Sequence, residues 1–163
     1  MGANVYEKIP GFKMVAGPVT IKEFPAASTI YERGLVKLVF GLVSPWTAGS
    51  APAGVAITSA APGGKALISI DPETIYEATA YSKYLETYRG LCCQVIEENA
   101  LNSERIGSYS AQKIAMPGSA TPNSGTPVQV VGPAGNTTSN PSTNYKVLVK
   151  LVDGAFEPEV DAT

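Results

Sequence analysis

Proline and glycine interrupt this chain 13 and 16 times in 163 residues, and between the interruptions the apolar residues mostly alternate. A proline removes a backbone donor and a glycine opens left-handed backbone, so the pieces between them read as short strands joined by turns. Charged residues make up only 16%, fewer than the solvent faces of helices require. The expected fold is therefore all-β or β-dominated, a small barrel or sandwich-like domain with one or two short helices and an extended N-terminal arm. A chain of this length suits one domain, in which roughly 70% of the unfolded surface becomes buried. It divides into an arm (1–18), a β domain (19–152) and an acidic tail (153–163) expected to fray.

Along the β domain, "ERGLVKLVFGLV" (32–43) reads as one largely buried strand, with Val36, Leu38 and Phe40 on one face and Leu35, Lys37 and Val39 on the other. "GVAITSA" and "PGGKALISI" read as two strands joined around Pro62-Gly63-Gly64, and "ETIYEATA" as a strand that sets Thr74, Tyr76 and Ala78 against Ile75, Glu77 and Thr79. Between 81 and 96 the helical spacing passes through Gly90, which is read as closing a short helix ahead of a strand "LCCQVIEE". Residues 97–127 look loop-like, with at most a short strand near Tyr109 to Ile114, while "PVQVVG" and "NYKVLVKLV" are strands.

The chain contains no histidine, which removes the usual base of Ser and Cys nucleophiles and the commonest transition-metal ligand. Asp71 and Glu73 flank Pro72 and Glu77 follows, yet Asp ahead of Pro is ordinary turn chemistry, so a corner is favoured over a catalytic pair or a calcium loop. "GPAGN" and "PGGK" lack the spacing of phosphate-binding glycine motifs, and Asn136-Thr137-Thr138 is read as a chance sequon. Cys92 and Cys93 are sequence neighbours and fit neither a C-x-x-C site nor a useful disulfide. No catalytic residue, metal site or cofactor is expected. A net charge of −2 without a basic stripe argues against direct nucleic-acid binding. The absence of a charged leader or a run of about 20 apolar residues argues against export and membrane insertion.

Two features are candidates for contact with a partner. Val5, Tyr6, Ile9, Phe12 and Met14 lie on the arm, where Pro10-Gly11 prevents a helix of their own, so another surface is expected to cover them. Trp46, on the loop "SPWTAG", fits equally a cap over a barrel end and an interface anchor. The tyrosines at 76, 81, 84 and 88 are read as a packed face.

Taken in order, "AASTIYERGLVKLVFGLV", "PAGVAITSAAPGGKALISIDPETIYEA", "YRGLCCQVI", "VQVVGP" and "NYKVLVKL" resemble the head decoration, or capsid cement, proteins of tailed bacteriophages, from about Ala27 to Leu151. The long 97–127 segment and the 132–144 loop depart from the shorter members. The resemblance implies a virion protein made in the host cytoplasm. It would bind the major capsid protein on the outside of the shell as a homo-oligomer, a trimer in many relatives, and have no enzymatic activity. A tail-tube or fibre subunit is the alternative structural reading, and a ligand-binding β-barrel or a His-free hydrolase the alternative from another class. An arm that orders only on the shell would leave the melting temperature unchanged when residues 1–13 are removed.

Overall fold

A computed structural model describes residues 9–119, 126–134 and 145–152. The strands are β1 (Phe12–Ala16), β2 (Ile21–Pro25), β3 (Leu35–Val39), β4 (Leu42–Pro45), β5 (Pro52–Ala56), β6 (Lys65–Ser69), β7 (Ile75–Ala80), β8 (Cys92–Ile96), β9 (Lys113–Ser119), β10 (Val128–Pro133) and β11 (Tyr145–Leu151). Short 3₁₀ segments lie at Glu86–Tyr88 and Glu98–Glu104. The fold is β-dominated, as the alternation implies. Pro25, Pro45, Pro52 and Pro133 all sit at strand ends, where a missing N–H costs least.

The strands form two rings. In the first, β7, β11, β10, β8 and β9 pair antiparallel in that order, and a parallel contact between Ala80 and Ile114 returns β9 to β7. β1 lies antiparallel on the same edge of β7, with Phe12 opposite Ala78. In the second, β2, β6, β5, β3 and β4 pair antiparallel, and a parallel bridge between Ala26 and Val43 joins the two ends. Five strands cannot alternate direction all the way round a closed ring, so each ring closes through one parallel contact.

Each ring encloses its own core. The first is filled by Tyr76, Ala78, Cys93, Val95, Ile114, Val128, Val130, Val147, Val149 and Leu151, the second by Ile30, Val36, Val43, Ala56, Ala66 and Ile68. The rings are joined through β3 and β5. Leu35 and Val55 face the first core while their sequence neighbours Val36 and Ala56 face the second. The second ring is inserted in sequence between strands of the first, because the chain leaves the first sheet after β1, builds β2 to β6, and returns as β7 beside β1.

Three expectations are corrected. Residues 9–18 are not a free arm: Phe12 is buried and its ring stands edge-on to Tyr76, with 6.3 Å between centroids. The Gly11 N–H donates to the Gln112 carbonyl and the Phe12 N–H to that of Arg33. Pro10-Gly11 breaks a helix but introduces a strand. Second, 32–43 is a hairpin, since Val39 pairs with Leu42 and Phe40-Gly41 form its turn, with φ of 52° and 80°. Third, 97–127 contains the second 3₁₀ segment and β9. The break at Gly90 (φ 89°), after the first 3₁₀ turn and before β8, agrees with the sequence. The tail 153–163 lies outside the described residues.

Phe12→Ala should destabilise the protein by about 3–5 kcal/mol, the usual cost of emptying a buried aromatic site. Removal of residues 1–13 should lower the melting temperature sharply, reversing the sequence-based expectation; calorimetry of both variants checks this.

Candidate interaction surface

Trp46 and Phe12 are interior residues and not contact anchors. Trp46 is 1% exposed, packs in the first core with Leu35 and Val55, and donates from Nε1–H to the Ser50 carbonyl at 2.7 Å. Met14 packs partly against that core and Ile9 is half-buried, its carbonyl accepting a 2.8 Å hydrogen bond from the Lys146 ammonium. Val5 and Tyr6 lie outside the described residues. Of the tyrosines, Tyr76 is fully buried and shares a 2.9 Å hydrogen bond with Ser69, while Tyr84 and Tyr88 lie against the core. Burial pushes the Tyr76 hydroxyl above its ordinary pKa.

The seam between the rings is polar and satisfied. Gln112, 1% exposed, uses its carboxamide like a second peptide unit: Oε1 accepts the Leu35 N–H at 2.6 Å and Nε2 donates to the Leu35 carbonyl at 3.2 Å. The buried Glu98 carboxylate accepts from Ser110 Oγ (2.6 Å), the Ala111 N–H (2.8 Å) and Arg105 Nε (3.2 Å). Arg105 in turn lies over the Tyr31 ring. The Glu98 contacts are made within one 3₁₀ segment and the connection after it, whereas Gln112 reaches Leu35 from 77 positions away, and the sequence marks neither.

Beside the seam is a cleft of about 400 Å³ lined by Tyr31, Lys37, Ser44, Thr47, Glu97 and Glu98 among others. Its charged groups are engaged within the chain: Lys37 Nζ donates to Thr47 Oγ1, and Glu97 accepts the Ala48 N–H. Among the described residues no group of three or more metal-ligating side chains converges. Asp71 Oδ1 accepts the Glu73 N–H at 2.8 Å, so the acidic corner is an Asx turn.

What the described surface does offer is apolar. Val15, Val19 and Ile21 stand 44–46% exposed along β1, the connection after it and the start of β2. Phe40, at the tip of the β3–β4 hairpin, is 84% exposed between Val39 and Leu42. Reading 32–43 as one strand hid the tip; an aromatic-glycine pair between alternating segments was the available sign. No described helix is long and apolar enough to cross a membrane.

No protein-family model and no curated protein matches this chain. A similar solved structure is the N base of the head fiber gp8.5 of bacteriophage phi29, with 13% identity and a TM-score of 0.47 over 83% of this chain and 95% of that one.

Cys92 and Cys93 are buried free thiols. Burial, with a smaller contribution from Cys92, pushes Cys93 from an ordinary 9.0 up to about 12. An unfolded thiolate is therefore favoured over a folded one between those values, so the stability Cys93 supports is intact below about pH 9 and declines as pH rises toward about 12. Cys93→Ala should weaken packing at neutral pH but flatten the alkaline fall in melting temperature; thermal melts at about pH 8 and 10.5 compare the two.

Proposed function

We propose that this protein is a structural component of a tailed-phage head that seats on the outer surface of the assembled shell and bridges coat subunits. The observation that carries this reading is the exposure of three apolar side chains, Val15, Val19 and Ile21, on a segment that runs from β1 to β2, strands fixed in different rings. Such a segment is presented rigidly, so it can meet a flat lattice without a large ordering cost. The ordered motifs from Ala27 to Leu151 support the same reading through their resemblance to capsid cement proteins. A protein that binds only the closed lattice shifts the shell toward that state by mass action, and many copies multiply a modest affinity. That task needs surface complementarity and no reactive group, consistent with the internally engaged polar groups of the cleft.

The test is add-back to expanded capsids that lack the protein. The wild-type chain should sediment with the shells in fixed ratio to coat protein and raise their resistance to heat. A triple variant, Val15→Asp, Val19→Asp and Ile21→Asp, should keep its own melting temperature within a few degrees and lose most of that retention. Equal retention by the variant would place the contact elsewhere, and no retention of the wild type would reject the reading.

A further inference from the structure

We propose that copies of this chain associate head to tail, the Phe40 ring of one copy seated in a shallow apolar hole beside β1 of the next. The knob is Phe40 on its hairpin. It occupies the first position of a two-residue turn with φ of 52°, a conformation usual for Asn or Gly and unfavourable for an aromatic residue. At 84% exposure its ring adds little to the chain's own packing, so an unfavourable residue is displayed where the fold does not use it. The mount is rigid, because the base of the hairpin, Leu35 and Trp46, is locked into the first core. Strain concentrated at an exposed side chain points to a contact made outside the chain.

The hole is about 150 Å³, lined by the buried Phe12 and Ala56, by Met14 and Ile57, and by the charged Lys13, Glu32 and Arg33. An apolar cavity of about 150 Å³ is of the size that takes a benzene ring. A lining that carries both charge signs suits the polar edge of a protein contact. Knob and hole lie at opposite ends of β3, roughly 20 Å apart at about 3.3 Å per residue, so no chain can fill its own hole. Two different patches that fit each other define a heterologous contact, which closes into a ring or extends as a filament according to the rotation per copy. A lipid surface is the poorer occupant, since the chain carries a net charge of −2 and no basic cluster flanks the tip. The inference does not rest on attachment to a phage shell and is tested without one.

Sedimentation velocity of the full chain over a range of concentrations is the experiment. Wild-type mass should rise with concentration, and Phe40→Gly should need at least about thirtyfold more protein to associate, the loss typical of a central aromatic anchor. Glycine fits the turn, so the melting temperature of that variant should hold or rise, which separates lost contact from lost fold. Ile57→Asp should block the hole instead, with Met14→Arg in its place if Ile57→Asp melts early. An equimolar mixture of the knob-less and hole-blocked variants should form dimers and stop there, through the one intact contact. A wild type that stays monomeric, a Phe40→Gly variant that associates like wild type, or a mixture that stays monomeric would each overturn the proposal. So would Phe40-dependent binding to anionic phosphatidylserine vesicles by a chain that remains monomeric.

Discussion

The structure depends on β5, buried on both faces along its length, and on the first two residues of β3 beside it. In β3 and β5, adjacent residues enter different cores, Leu35 and Val55 one and Val36 and Ala56 the other. A shift of one residue in either strand would exchange the two sets, placing Lys37 and Gly54 at positions that demand apolar bulk, so the register is tightly held. Space is equally constrained: a Cβ on Gly54 would come within 2.1 Å of the Ser69 carbonyl oxygen, and only the bare backbone lets β5 approach β6 there. Where the wall needs one more hydrogen-bonding partner, the Gln112 carboxamide supplies it to Leu35. The Leu35 carbonyl also accepts the Trp46 N–H, but leaving the buried Leu35 N–H unpaired would cost on the order of 1–3 kcal/mol.

Much of this was legible where alternation is strong and uninterrupted. β7 alternates from Ile75 to Ala78 and β11 from Val147 to Leu151, and the chain reversal at Pro62-Gly63-Gly64 and the break at Gly90 rest on glycines at φ of 86° and 89°. The chain was harder to read where a local rule was broken. The β3–β4 turn carries Phe40 in place of the usual Asn, so only the glycine after it marked a reversal. β9 has Pro117-Gly118 in its second half and reads as a loop. β1 follows a Pro-Gly pair that suggests a break, while its partner β7 lies some sixty residues on, beyond the reach of any local pattern.

The candidate surface was legible only in part, for a related reason. Apolar residues on an early segment that cannot form a helix must be covered, but sequence alone does not say by what. Phe12 is covered by the chain itself, whereas Val15, Val19 and Ile21 are not. Trp46 divided the same way and fell to the interior, because its indole N–H finds the Ser50 carbonyl and its ring packs in the first core. The polar network of Glu98, Ser110 and Arg105 had no signal at all, being assembled from a 3₁₀ segment and the connection that follows it.

The insertion of one ring in the sequence of the other also imposes an order on synthesis. β2 to β6 are contiguous in the chain, so on a ribosome the inserted ring is complete in sequence long before β11 emerges. β1 is made first, yet neither its partner β7 nor Lys146, which holds the Ile9 carbonyl, exists until much later. For that interval Leu35, Trp46 and Val55 have no outer core to enter and present an adhesive apolar wall. A nascent chain stalled between β6 and β11 is thus the species most exposed to chaperones and to aggregation.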